Sequence, residues 1–579
     1  MADNRADIPN GTHNGEKEDL GSREAVNDHP STVPGTNPKW VRLNQQPLYT
    51  PRRLRVVCIG AGYAGLTLIY KWKYKLDADY IDLQVYEKNH DVGGTWLENR
   101  YPGVACDVPA HVYTFLFAPN PDWSKYYATG PEIWKYIKKT STQYQLEDHI
   151  QFNTRVVESI WNEKKSQWGI KIESNGQITE TSADVLVNAA GILNKWKWPE
   201  IEGLRDFKGT LLHSAAWDET ADWTGKTVGI IGNGSSAIQL VPTIQPKVKR
   251  LVNYIRSPTW ISTNFNLDFA PSGDGFVFPE EQKRKFREHP EELTKYRRAI
   301  EHDFNHNFPT FISNSKEQAL VDGAFRQIMS QRLGNDPELI EKLIPKWQVG
   351  CRRLTPGEGY LEALCADNTE ACFDRIVRVT ENGVETEHGE TKLDMLICAT
   401  GFDVSFNPFW KLVGRDGRRL EDEWAEVPKA YFGICASSMP NYFIFNGPNC
   451  PVGHGSLIAV IDWTADYILR WCDKIATRDI SSVAVKDDVL EEFNLYSQEF
   501  LKGTVWASGC RSWYKNNKID GPVTAMYAGS VIHYKECLEH DRGEDFDIRY
   551  NSGNRFRFMG NGLTQRETRG EDLGFYLEV

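Results

Sequence analysis

From residue 54 the apolar positions fall into short blocks separated by glycine. Leu54-Arg-Val-Val-Cys-Ile59 is apolar and partly β-branched, Gly60-Ala-Gly62-Tyr-Ala-Gly65 interrupts it, and Leu66-Thr-Leu-Ile-Tyr-Lys-Trp72 reads as a helix. Ile81-Asp-Leu-Gln-Val-Tyr-Glu87 then reads as a second strand. Strand, glycine turn, helix and strand predict a βαβ unit, because parallel strands need a crossover segment between them. The pattern recurs in Lys226-Thr-Val-Gly-Ile-Ile231, Gly232-Asn-Gly234-Ser-Ser-Ala237, Ile238-Gln-Leu-Val241 and the strand Val248–Ile255. Two further strands end in small-residue turns, Asp184–Gly191 and Asp394–Gly401, and both are expected to return the chain to the first sheet. Residues from about Phe278 to Leu343, rich in Glu, Lys, Arg and aromatics, predict helices flanking the second unit. The polar stretch from Met1 to about Asn37 predicts a disordered leader with no secretory signal.

This order predicts an α/β protein with two Rossmann-like dinucleotide-binding domains, the second inserted in the first and carrying a helical sub-region. The expected divisions are a leader at 1–37, the first domain at 38–206, the inserted domain at 207–385, and the return of the first domain with a C-terminal region at 386–579. The length of 579 residues accommodates several cores. With 12% aromatic residues, 19 of them Trp, those cores should be large and aromatic. Sixty-seven Lys and Arg against 79 Asp and Glu leave a net charge of −12 with no long basic run, which opposes nucleic-acid binding. Eleven cysteines, none spaced C-x-x-C, suit reduced thiols and oppose a zinc or dithiol centre. The longest apolar stretch, Val56–Tyr70, is broken by three glycines and is too short to span a bilayer. An intracellular, cytoplasmic protein without an integral membrane anchor, acting on a small molecule, is expected; the oligomeric state stays open.

The glycine turns suggest which cofactors. Gly60 permits a tight turn, Gly62 lets backbone approach a pyrophosphate, and Gly65 allows helix and sheet to pack closely. Glu87, 27 residues after Gly60, is placed to bind an adenosine ribose, so this turn is assigned to FAD. In the second turn Ala237 replaces the third glycine, and Arg256 rather than an acid follows the next strand, which favours NADPH. Two dinucleotide sites without an active dithiol point to a flavoprotein that passes electrons to O2.

Phe207-Lys-Gly209-Thr-Leu-Leu-His213-Ser-Ala-Ala-Trp217-Asp218, lying between the two turns, resembles the fingerprint of Baeyer–Villiger monooxygenases. Gly93-Gly-Thr-Trp96, Asn99–Gly103, Cys106-Asp107, Cys351-Arg-Arg353, Ala399–Asp403 and Ser512-Trp513 extend the resemblance over most of residues 50 to 540. The Trp at 217 favours this branch over the related heteroatom-oxidising flavin monooxygenases, and fungal enzymes of secondary metabolism are the most similar relatives. The resemblance implies that O2 is inserted next to a ketone carbonyl, giving an ester or lactone through a C4a-peroxyflavin. It makes Arg353 the catalytic cation and Asp107 its positioning partner. It places Thr95, Trp96, Asp107, Val108 and Tyr113 at FAD, and Ala105 and Cys106 near the nicotinamide. Gly232, Asn233, Gly234, Ser235, Ser236, Ala237, Arg256, Ser257, Arg352 and Arg353 fall to NADP. Trp513 would border the substrate and cofactor pocket, although Asn516 stands where the family often has glycine. His213 and Trp217 would belong to a linker rather than to the chemistry. His302 and His306 share a helical spacing that also suits a solvated helix, and no metal is assigned to them. Heteroatom oxygenation, hydroxylation or epoxidation, and an NADPH oxidase or redox sensor, remain as alternatives.

Overall fold

The computed structural model describes residues 39–262, 268–270 and 275–577; the expected leader lies outside them. Two compact units form, a large one of residues 51–549 and a small one built from the two chain ends. In the small unit Leu48 N–H donates to Leu563 O at 2.7 Å and Tyr49 stacks on Phe558 with centroids 5.3 Å apart.

In the large unit, the first sheet orders its strands Tyr442–Ile444, Val185–Asn188, Leu54–Ile59, Ile81–Tyr86 and Ile150–Gln151, every pair parallel. Leu54, Val57 and Cys58 have no exposed surface. A parallel sheet covered on both faces accounts for the unbroken apolar run in the central strand. The helix Tyr63–Tyr74 crosses from the central strand Leu54–Ile59 to its neighbour Ile81–Tyr86, as the apolar pattern predicts.

The second sheet orders Thr369–Cys372, Arg250–Tyr254, Thr227–Ile231, Met395–Cys398 and Thr210–His213, again all parallel. The segment Asp394–Gly401, expected in the first sheet, therefore belongs to the second. Asp394 fixes it there: its carbonyl accepts from Thr210 N–H at 3.0 Å, its N–H donates to Thr227 O at 2.9 Å, and its carboxylate accepts from Thr227 N–H at 2.8 Å. Gly209 allows this closeness, because a Cβ there would lie 2.6 Å from Asp394 O and 2.5 Å from the Phe207 ring. Phe207 is buried in a cluster with Leu204, Val252, Tyr254 and Leu396.

Helices Glu280–Glu288, Pro290–His306, Lys316–Arg332 and Pro337–Leu343 fill the region read as helical. A four-stranded sheet of Thr154–Asn162, Gln167–Ser174, Gln177–Ala183 and Lys411–Val413 was not anticipated. No described helix is long and apolar enough to cross a membrane.

Among the described residues three histidines are buried neutral. His111 packs against Phe278, Phe286 and Tyr296, and neither ring nitrogen has a partner; burial, then the Arg297 charge, lowers its pKa to about 3. Burial lowers His213 and His454 to about 4. In the unfolded chain each titrates near 6.5, so unfolding below that pH takes up protons and stability falls as pH drops from 6.5 towards 4. Glu301, pushed up to about 7 by burial, opposes this with a single proton between its unfolded pKa and about 7. The urea midpoint is therefore expected to be lower at pH 5 than at pH 7, with a smaller drop in His111→Phe. An equal drop in that variant would contradict the account.

Candidate active site

The two glycine turns are built alike. Gly60 has φ +109°, and a Cβ on it would lie 2.6 Å from Ala189 O; a Cβ on Gly65 would lie 2.0 Å from Gly60 O. The protein's own backbone demands both glycines. Gly62 differs, since its Cβ would meet nothing nearer than Gly94 Cα at 3.6 Å. Its missing side chain leaves open space at the start of the helix Tyr63–Tyr74, which has no side-chain cap and no acid in its first turn. Free N–H groups and the positive end of the helix dipole face that space, an arrangement suited to a pyrophosphate. Glu87 is 4% exposed and accepts from Ala61 N–H at 2.7 Å and Asn89 N–H at 2.9 Å. Burial raises its pKa while these bonds oppose the rise. A carboxylate has about four acceptor sites, so Glu87 can brace the turn and also accept from ribose hydroxyls.

In the second turn Gly232 has φ +118° and a Cβ would lie 2.5 Å from Ala399 O, whereas a Cβ on Gly234 would meet nothing within 4 Å. The helix Ser235–Ile244 also starts without a side-chain cap or an acid, and Ala237 is fully buried in its first turn. Asn233 Nδ2 donates to Ser257 O at 2.8 Å, tying the turn to the segment that carries Arg256. Arg352 donates to Ser257 Oγ at 3.1 Å, Pro258 O at 3.2 Å and Arg511 O at 2.7 Å, and lies over the Trp347 ring. Burial, then the charges of Arg256 and Arg511, lowers its pKa to about 10. Through the hydrogen bonds of Arg352 the segments carrying Arg256, Arg352 and Arg511 are brought together, and among the described residues none of the three forms an ion pair. Such a cluster favours an anion such as a phosphate. Arg511 was missed from sequence, though it directly precedes Ser512-Trp513.

Arg353 and Asp107 form a two-point pair, Nε to Oδ2 at 2.8 Å and Nη2 to Oδ1 at 2.7 Å. Nη1 donates to Val452 O at 3.1 Å. Burial works to lower the Arg353 pKa, but the charge and hydrogen bonds of Asp107 more than reverse this, so the guanidinium stays charged. Gln239, on the helix Ser235–Ile244, accepts from Tyr101 OH at 2.8 Å and donates to Ala105 O at 2.9 Å. This residue, also missed, fastens the Tyr101–Asp107 loop to the second turn's helix. Gly103 sits so close that a Cβ would lie 2.5 Å from Gln239 O. Trp96 Nε1 donates to Tyr113 OH at 3.3 Å, and Tyr63 OH donates to Tyr113 O at 3.0 Å, joining two aromatics predicted at the flavin to the first turn's helix. Thr95 is exposed at the start of the short helix Thr95–Glu98, and Val108 is half-buried beside Asp107.

The flavin-binding monooxygenase-like family model matches residues 53–332. The FAD-binding monooxygenase tazF of Aspergillus terreus is 51% identical over 544 residues, 93% of this chain and 97% of that one. The chain belongs to the flavin-binding monooxygenase-like family. A Baeyer-Villiger monooxygenase of Pseudomonas aeruginosa is 35% identical over 84% of this chain and 89% of its own. The closed crystal structure of cyclohexanone monooxygenase matches with a TM-score of 0.75 and 25% identity, over 86% of this chain and 100% of that one. Oxidised steroid monooxygenase bound to NADP matches with a TM-score of 0.74 and 26% identity, over the same shares. This protein is a flavin-dependent monooxygenase with two Rossmann-like sheets.

In this monooxygenase Asn516 takes φ +51°, the left-handed conformation that glycine would otherwise supply, so the loop carrying Trp513 keeps its turn. Trp513 is half-buried against Tyr514, whose pKa burial raises to about 12, keeping it a phenol. His213 stacks on Trp196 at 4.5 Å, accepts from Ala215 N–H at Nδ1, and meets Thr400 Oγ1 at 3.3 Å, holding the end of its strand to the turn after Met395–Cys398. Trp217 is half-buried against Trp223, and Asp218 caps a turn by accepting from Thr220. The expectation of wholly reduced thiols is corrected by one pair: Cys351 and Cys510 form a disulfide. Cys106 stays a free thiol, its pKa raised by burial and then by Asp107.

Proposed function

We propose that this monooxygenase carries out Baeyer–Villiger oxidation, inserting one oxygen atom of O2 beside the carbonyl of a bulky apolar ketone with consumption of NADPH. The cofactors are FAD at the first glycine turn and NADPH at the second; reduced FAD supplies the activation of O2. The observation that carries the reading is the Arg353–Asp107 pair, a fixed cation held to the loop that Gln239 ties to the second turn's helix. Arg353 stabilises the negative charge that develops on the ketone oxygen, and its planar fork presents donors without reorganisation. Asp107 holds that fork in place with both carboxylate oxygens. Gln239 keeps the Asp107 loop on the dinucleotide helix, so both partners of the pair stay aligned.

An apolar substrate suits the surroundings. Val452, whose carbonyl accepts from Arg353, packs on a cluster of Leu501, Val505, Trp506, Tyr514 and Met526, together with Phe308 and Phe311. The role in fungal secondary metabolism that the sequence resemblance implies is part of this proposal; the relatives it matches include an FAD-binding monooxygenase of Aspergillus terreus. For the domains we propose an FAD part at 38–206, and an NADP part that starts at 207 and runs past 385 to take in the strand Met395–Cys398. The remainder returns to the FAD sheet through Tyr442–Ile444.

The test is NADPH oxidation by the holoenzyme with bulky ketones and with sulfides, products identified by mass spectrometry. Esters or lactones are expected; sulfoxides with no ester from any ketone would move the reading to heteroatom oxygenation. Arg256→Ala is expected to raise the KM for NADPH roughly tenfold, about the effect of one charged contact, with little change for NADH. A uniform loss with both dinucleotides would make Arg256 structural.

A further inference from the structure

The Cys351–Cys510 disulfide lies between the two halves of the arginine cluster. Cys351 directly precedes Arg352 and Arg353, and Cys510 directly precedes Arg511, 159 residues further along the chain. Residues 508–519 form a loop tied to itself: Lys515, 1% exposed, donates to Ser508 O and Ile519 O, and Arg511 Nη1 donates to Asn517 O at 2.8 Å. The loop is thus braced as a unit. It is held to the arginine pair by the disulfide and by the hydrogen bond from Arg352 Nε to Arg511 O. Arg511 is exposed, close enough to Arg352 for their charges to repel, and among the described residues it has no carboxylate partner.

We propose that the Cys351–Cys510 disulfide is a redox latch on the NADPH site, holding Arg511 beside Arg256 and Arg352 as a third cation for the dinucleotide's 2′-phosphate. This rests on the reading of that cluster as the 2′-phosphate site. The latch opens when a dithiol reductant supplies two electrons and two protons: the S–S bond breaks, two thiols form, and the reductant becomes its own disulfide. Tyr514, buried and bonded through its carbonyl to Thr524 and Ala525 N–H, still anchors the middle of the loop, but the end carrying Arg511 is then held only by the Arg352 hydrogen bond, and the site can lose one cation. Both sulfurs are buried, Cys351 at 0% and Cys510 at 1% exposure, so the reductant reaches the bond only through a local opening around it that leaves the bond intact. By linkage, a bound dinucleotide that needs the loop closed must protect the bond from reduction.

The experiment uses the FAD-loaded enzyme. Alkylation and peptide mapping without reductant are expected to leave Cys351 and Cys510 joined. NADP+ and NAD+ are then titrated against oxidised enzyme, dithiothreitol-treated enzyme, Cys510→Ser and Arg511→Ala. Reduction, Cys510→Ser and Arg511→Ala are each expected to weaken NADP+ about tenfold, with NAD+ changed less than about twofold. Reduction should add nothing in Arg511→Ala, and Arg511→Lys should recover part of the affinity. Ready alkylation of both cysteines in the untreated protein, unchanged NADP+ affinity on reduction, or equal loss for both dinucleotides would overturn the proposal. Arg256→Ala separates the layers: if it too leaves NADP+ affinity untouched, the reading of the cluster has failed, whereas a loss there with no effect of reduction removes the latch alone.

Discussion

Arg353→Ala is expected to lower ester formation by about a thousandfold or more, while FAD stays bound and NADPH still bleaches the flavin. The guanidinium makes a two-point contact with Asp107 and a third bond to Val452 O, none of which belongs to either glycine turn. Removing it should therefore spare FAD binding, raise at most the NADPH concentration needed for flavin reduction, and strike the step in which negative charge develops. Arg353→Lys keeps the charge but loses the planar fork, so it should recover only part of the rate. Asp107→Asn should also fall well below wild type, because a neutral amide can accept at one oxygen alone and leaves the cation unpaired. Product analysis beside anaerobic flavin reduction separates these outcomes. Ester formation at the wild-type rate in Arg353→Ala would remove Arg353 from the chemistry.

Gly62→Val is expected to yield a folded protein that has lost its flavin. The φ of Gly62 is −81°, which any residue adopts, and a Cβ there meets no protein atom closer than 3.6 Å. The added side chain instead fills the space at the start of the helix where the pyrophosphate is placed. Gly65→Val behaves differently, since a Cβ there would sit 2.0 Å from Gly60 O and must push the turn apart. Loss of the 450 nm absorbance with an unchanged urea midpoint of the apoprotein is the expected signature of Gly62→Val. For Gly65→Val the midpoint itself should drop. Full flavin occupancy in Gly62→Val would mean that the pyrophosphate lies elsewhere.

Most of the architecture is legible in the sequence, because glycine turns between apolar strands constrain the backbone locally. The placement of Asp394–Gly401 could not. Met-Leu-Ile-Cys is an equally good buried strand in either sheet, and the choice is made by hydrogen bonds from Asp394 to residues 210 and 227, far away in sequence. Arg511 and Gln239 were missed for a similar reason. Arg511 stands outside the recognisable motif, and Gln239 is an ordinary polar residue on a helix until its amide is seen to reach Tyr101 and Ala105. The disulfide was equally hidden, since eleven scattered cysteines do not say which two meet. Asn516 shows the converse: a departure from glycine that cast doubt on the loop proves compatible with it, because Asn also tolerates the left-handed conformation.

The central claim is that Arg353 and Asp107 serve the insertion of oxygen next to a ketone carbonyl. The most direct test is to supply the holoenzyme with NADPH, a bulky cyclic or aryl ketone and 18O2, and to measure the isotope in the product. A lactone or ester carrying one 18O atom, absent with Arg353→Ala, is the predicted result. NADPH consumption that yields only labelled hydrogen peroxide, across ketones that demonstrably bind, would contradict the account.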